Sequence, residues 1–88
     1  RKVTFGESVL NLPPAAFDYL VVLARRSPDI IDYRTLVTEA QGYEVNAEEA
    51  KELSKWHVYI IRQAIEKDPD QPQILLNIRG IGYRLVLD

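Results

Sequence analysis

The chain contains no cysteine, which removes disulfides, thiolate metal sites and cysteine nucleophiles from consideration. It contains no methionine either, not even at its start. The expectation is a single domain, residues 1–88, excised from a longer chain. No apolar run approaches the ~20 residues needed to span a bilayer, and these residues show no signal-peptide or lipidation pattern, so no membrane partner is expected. Cations are not in excess: 11 Lys and Arg face 13 Asp and Glu, a net charge of −2, with an isoelectric point near 5.4. That balance argues against the broad electrostatic grip of a strongly basic nucleic-acid binder. Internal repeats and low-complexity segments are absent as well. What remains, 47% apolar and 27% charged residues, is the composition of an ordinary globular domain with one small core.

The most informative stretch is Asn46 to Lys67, NAEEAKELSKWHVYIIRQAIEK, which predicts one long helix. Asn46 with Glu49 three residues on reads as a cap and reciprocal cap. At about 100° per residue, Ala47, Ala50, Ser54, Val58, Ile61 and Ile65 share one side and form a core stripe. The opposite side collects Glu49, Glu52, Trp56, Tyr59, Ile60, Gln63 and Lys67. A helix that is apolar nearly all round is either buried on every side or faces a partner. The Trp56, Tyr59 and Ile60 face therefore poses the functional question.

Lys2–Phe5 and Val9–Leu12 predict two strands joined at Gly6-Glu7-Ser8. Such a hairpin is marginal alone and should pack on the helices that follow. Pro13-Pro14 end the second strand, and Pro14 suits the first turn of a helix. Phe17, Leu20, Val21, Leu23 and Ala24 are expected to face inward from that helix. Arg25 and Arg26 complement its dipole at the last turn, and Ser27-Pro28 stop it. Ile30-Ile31 predicts a minimal strand. Asp32 caps a second helix with Leu36, Val37 and Ala40 on one side, and Gly42 follows as its left-handed terminator. Two helices joined by a short glycine-containing turn, the second longer and more exposed, form a helix-turn-helix arrangement. Ile74–Ile78 and Tyr83–Leu87 predict a second hairpin around Arg79-Gly80-Ile81-Gly82, whose glycines let the backbone reverse.

Three features invite a catalytic or metal reading, and each has a plainer one. Asp68 and Asp70 bring two carboxylates together but lack the further ligands and the glycine of a calcium loop, so turn chemistry is expected. Gly80-Ile81-Gly82 has neither the third glycine nor the following helix of a dinucleotide fingerprint. His57 lies beside the core stripe and reads as a hydrogen-bonded structural residue. No nucleophile–base pair or metal cluster stands out, so the expectation is a non-enzyme without cofactor or metal.

LPPAAFDYLVVLARRSPDIIDYRTLVTEAQGY and WHVYIIRQAIEKDPDQPQILLNIRGIGYRL, ending in the wing motif NIRGIGYRL, resemble the winged helix-turn-helix effector domain of OmpR/PhoB-type response regulators. The resemblance covers nearly the whole chain. It implies an α+β fold, a three-helix core with an N-terminal β-hairpin and a C-terminal β-hairpin wing. It also implies sequence-specific binding of double-stranded DNA, as the output domain of a two-component transcriptional regulator. The expected setting is the bacterial cytoplasm, associated with the nucleoid, with a dimer on DNA. The third helix, 46–67, would enter the major groove and the wing, 74–87, would reach toward the minor groove.

On that reading the DNA-facing residues are Lys55, Trp56, Tyr59, Arg62, Gln63, Asn77 and Arg79. Trp56 and Tyr59 would meet thymine methyls or phosphates, and Gln63 would read adenine. Some family members contact RNA polymerase through the loop matching Gly42 to Asn46. The chain also departs from the family pattern. Pro13 and Ala16 replace a Thr and Glu, and Gln41 replaces a Trp. Glu52 and Leu53 replace an Arg-Thr pair, and Tyr59 and Ile60 stand where basic or small polar residues are frequent. With Glu48, Glu49 and Glu52 near the helix start, DNA binding should be weak and its salt slope shallow. The alternative is a degenerate winged helix that binds a protein, or itself, through Trp56, Tyr59 and Ile60. A continuous positive surface over the third helix and wing favours DNA; an apolar patch with an acidic rim favours protein.

Overall fold

Two of the three helices begin at a side-chain cap and the first at a pair of prolines, and each ends where a residue turns the chain aside. The computed structural model describes residues 2–5 and 8–87, with side chains from residue 11 to residue 87. Strands β1 (Lys2–Phe5) and β2 (Ser8–Asn11) pair antiparallel, Lys2 opposite Asn11 and Phe5 opposite Ser8, as a two-stranded sheet of their own. Of the turn expected at Gly6-Glu7-Ser8, Ser8 instead opens β2, which ends at Asn11 and not Leu12; Gly6-Glu7 and the expected packing of the hairpin on the helices lie outside the described residues.

Helix α1 (Pro14–Arg26) starts at the proline expected in its first turn. Leu20 and Leu23 are buried as expected, but the other buried residues are Ala16, Tyr19 and Val22, so the inward face is only partly the one expected. Phe17 and Val21 are half-buried and Ala24 is exposed. The reason is that α1 packs on two helices and on a strand at once. Its buried arc is therefore wide, and the small Ala16 and the long Tyr19 are both fully buried within it.

Strand β3 (Ile31–Asp32) leads directly into α2 (Tyr33–Gln41). The Asp32 carboxylate accepts the Thr35 N–H at 3.0 Å and the Thr35 hydroxyl at 2.6 Å, a complete N-cap. These bonds hold its pKa below the usual carboxylate range. At the other end Gly42 is left-handed, with φ 78°, and its N–H reaches the Thr38 carbonyl at 2.9 Å.

Helix α3 (Ala47–Ile65) is shorter than the 46–67 span read from the sequence. Asn46 sits outside as the cap, its side chain accepting the Glu49 N–H at 2.9 Å. The C-terminal end falls at Ile65 because Glu66 adopts an extended backbone and spends its carboxylate on the segment that follows. Ala50, Ser54, Val58, Ile61 and Ile65 are buried as expected, whereas Ala47, in the first turn, is exposed.

Strands β4 (Leu75–Ile78) and β5 (Gly82–Leu85) form the expected hairpin, each slightly shorter than anticipated, so the wing does not fill 74–87. It is not a free hairpin. β3 pairs with β5, Ile31 opposite Tyr83, giving a three-stranded antiparallel sheet in the order β3-β5-β4. Gly80, with φ 76°, serves the reversal of direction. Gly82 does not. It lies in β5 opposite Asp32, where a Cβ would stand 1.9 Å from the Ile31 carbonyl oxygen. The glycine is needed for the approach of β3. Tyr19, Leu23, Ile31, Leu36, Ile61, Leu75 and Leu85 fill the centre, so all three helices and the wing sheet share one core. The architecture is α+β, a winged helix-turn-helix.

Candidate nucleic-acid interface

The side of α3 opposite the core is open along its length. Glu48 and Glu49 occupy the first turn, where carboxylates are favourable against the positive end of the helix dipole. Lys51, Lys55 and Arg62, spaced four and seven residues apart, lie along one flank. Lys51 and Lys55 are exposed, and Lys55 pairs with Glu52 at 3.2 Å, an exposed ion pair of small energetic weight. Lys51 went unnoticed in the sequence, although its i, i+4 relation to Lys55 was there to be read.

Trp56 and Tyr59 are 61% and 55% exposed. Their rings stack nearly parallel, with centroids 5.8 Å apart and 16° between planes. Ile60 does not join them; it is half-buried and packs against the core. The three-residue apolar stripe expected from the sequence is therefore a pair of rings. Gln63 is exposed one turn beyond Tyr59. Lys55, Tyr59, Arg62 and Gln63 line one wall of an open groove of about 370 Å³, and Asp70, Pro72 and Tyr83 line the other.

Arg62 is only half exposed and its guanidinium is engaged. Nε and Nη2 donate to the Leu75 carbonyl at 3.1 and 2.8 Å, and the group lies 6.0 Å from the centre of the Tyr83 ring. Glu66, which the sequence reading passed over, is buried. Its carboxylate accepts the backbone N–H groups of Gln73, Ile74 and Leu75 at 2.7 to 3.2 Å. Arg62 in the last turn of α3 and Glu66 just past its end thus hold the first strand of the wing.

At the wing itself, Ile81 N–H closes the turn on the Ile78 carbonyl at 2.9 Å. Arg79 is exposed within that turn. Asn77 is exposed on β4, with its side-chain oxygen accepting the Tyr33 hydroxyl at 2.8 Å. Tyr33 in turn meets Tyr83 edge-on, centroids 5.5 Å apart. Burial raises the Tyr83 pKa, with the neighbouring Tyr33 adding to the shift.

Behind α3, His57 stacks on Tyr19 at 4.4 Å and 9°, and its Nδ1 lies 3.0 Å from the Leu53 carbonyl. It is the structural histidine expected. The Tyr19 hydroxyl donates to Gln41 Oε1 at 2.6 Å. Burial, and secondarily Tyr43, push the Tyr19 pKa up to about 12. The loop from Gly42 to Asn46 is tied to α2, since Arg34 Nε donates to the Val45 carbonyl and the Thr38 hydroxyl to the Tyr43 carbonyl. It leaves the Tyr43 ring half exposed.

Asp70 N–H is bonded to the Asp68 carboxylate at 3.1 Å, the turn chemistry expected there. Among the described residues no group of three or more His, Asp or Glu is placed to hold a metal ion. Among them, too, no helix is long and apolar enough to cross a membrane.

Residues 6–85 match the sequence model of the family described as "Transcriptional regulatory protein, C terminal". The DNA-binding response regulator MtrA of Mycolicibacterium smegmatis is 37% identical over 84 residues, which is 96% of this chain and 36% of that protein. The chain thus spans about a third of the length of such curated relatives. Among solved structures, the response regulator DrrB, a Thermotoga maritima OmpR/PhoB homologue, superposes with a TM-score of 0.73 at 26% identity, over 97% of this chain and 37% of that one. The DNA-binding domain of the response regulator AdeR, solved in complex with an intercistronic region, also gives 0.73, at 21% identity, over 97% of this chain and 84% of its own. At that identity it speaks for the fold.

Proposed function

The chain belongs to the family of transcriptional regulatory protein C-terminal domains, the OmpR/PhoB-type winged-helix effector domains, and we propose that it binds double-stranded DNA sequence-specifically as the output domain of a two-component regulator. The observation that carries this reading is the open face of α3 beside a wing anchored to the same helix. Lys55, Trp56, Tyr59 and Gln63 are exposed at the middle of α3, while Arg62 and Glu66 at its end hold Leu75 of β4. A helix diameter of about 10–12 Å matches a major groove about 12 Å wide. A wing fixed to the end of that helix is carried toward the adjoining minor groove.

In this account Trp56, Tyr59 and Gln63 face base edges, and Lys51 and Lys55 approach phosphates. Arg79 reaches the minor groove from the wing turn. Arg62 and Asn77 hold the wing in place by the bonds they already make. The domain acts by binding, with no catalysis, cofactor or metal of its own, in the bacterial cytoplasm at the nucleoid. A second copy on the duplex belongs to the same reading, as does a protein contact at Gly42–Asn46, RNA polymerase being the candidate. Exposed Tyr43 supports the latter.

The exposed Trp56–Tyr59 pair, rimmed by Glu49 and Glu52, favours a second reading in which this face docks a protein. The burial of Ile60 against the core shrinks that surface and counts against it. Selection from a randomised duplex pool separates the two. Enrichment of a defined sequence supports the DNA reading; enrichment of none contradicts it.

A further inference from the structure

We infer that the Trp56–Tyr59 pair reads the C5-methyl groups of thymines on the major-groove floor, so that sequence preference is carried by apolar contact more than by hydrogen bonding. The inference rests on the DNA reading above and names the chemical feature recognised. Trp56 and Tyr59 lie in the middle of a 19-residue helix, on the side opposite buried Ala50, Val58 and Ile61. With a helix nearly as wide as the groove, residues at that point meet base edges, while the phosphates line the rims beside the flanks. The flank is where Lys51 and Lys55 stand.

On the groove floor the thymine methyl is the one apolar feature; guanine and adenine present acceptors, and cytosine and adenine present amino donors. An indole and a phenol ring laid over a purine N7 or a guanine O6 would desolvate those acceptors without bonding them, which is costly. Over a thymine methyl the same rings bury apolar surface at no such cost. The parallel stacking at 5.8 Å and 16° makes the two rings one surface and limits the rotamer freedom lost on binding. The acidic first turn of α3, Glu48 and Glu49, weakens the sequence-independent phosphate attraction. Discrimination then depends on contacts at the groove floor.

The test uses the 88-residue chain and a duplex enriched from a randomised pool, prepared with thymine and again with deoxyuridine at single positions. Uracil pairs as thymine does and lacks only the methyl. The expected result is a loss of about fourfold in affinity for each methyl under the pair. The Trp56→Ala, Tyr59→Ala variant should be indifferent to the exchange. Equal affinity for thymine and uracil duplexes overturns the inference while leaving sequence-specific binding standing. Equal sensitivity in the variant overturns it too, since other residues would then feel the methyl. Failure of any duplex to be enriched removes the DNA reading itself, and this inference with it.

Discussion

The Glu66 carboxylate and the Leu75 amide meet at 2.7 Å across the junction between the third helix and the wing. On the other side, Arg62 donates to the Leu75 carbonyl at 2.8 Å. Both backbone polar groups of a fully buried strand residue are therefore bonded by side chains of the helix's last turn and of the residue that caps it. The angle between helix and wing is thus set by directional bonds as well as by packing, and a duplex contacted by one is presented to the other in a fixed relation.

Replacing Glu66 by Gln keeps the shape but turns an amide donor toward three backbone N–H groups. The expected cost is about 1–3 kcal/mol, read as a lower urea midpoint with an unchanged slope. An unchanged midpoint would show that the carboxylate does not hold the wing.

Ile61 is fully buried at the centre of the core. Ile61→Ala should cost about 2–5 kcal/mol through lost burial and a residual cavity, a large part of the stability of a domain this size. Equilibrium unfolding checks it; a loss under about 0.5 kcal/mol would contradict the helical phase assigned to α3.

That phase was legible because α3 carries its apolar residues at regular spacing over nineteen positions, enough for the period to average out local exceptions. The caps Asp32 and Asn46 and the terminator Gly42 were legible because each acts on residues within three or four positions of itself. Other features depend on distant partners. Ile60 reads as exposed from spacing alone and is drawn to the core by its tertiary neighbours. Gly82 reads as a turn glycine, and only the approach of β3 reveals why a side chain is excluded. Glu66 looks like one more surface acid until the chain returns at Gln73–Leu75 to offer it three donors. The burial of Ala16, Tyr19 and Val22 beside the expected Leu20 and Leu23 of α1 has the same reason, since three elements pack on that helix. At the candidate site the exposed rings were visible in the sequence, whereas their stacking and the engagement of Arg62 by Leu75 are properties of the folded chain.

Tyr19 gives the domain an alkaline limit. Its pKa in the fold is about 12 against about 10 in an unfolded chain, so between those values the folded state holds a proton that the unfolded state has lost. Stability is fully present below about pH 10 and falls as the pH rises toward about 12. Denaturant midpoints measured across this window should decline more steeply for the natural chain than for Tyr19→Phe. Parallel declines would contradict the assignment.

Arg79 stands exposed in the wing turn beside left-handed Gly80. Arg79→Ala should weaken binding to specific and random duplexes alike and reduce the salt slope by roughly one unit. Fold stability should move by less than about 0.5 kcal/mol, since an exposed loop side chain is being truncated. Unchanged affinity and slope would remove Arg79 from the interface.

The central claim is that the open face of α3 reads DNA, and the double variant Trp56→Ala, Tyr59→Ala tests it most directly. The measurement is the ratio of affinities for an enriched duplex and for random DNA, taken with the oligomeric state of the free protein. Both rings are more than half exposed, so the fold should survive their loss. The account predicts that the ratio collapses toward one while the oligomeric state stays as it was. If the variant keeps its discrimination and instead loses a self-association shown by the natural chain, the face is a protein interface and the account is wrong.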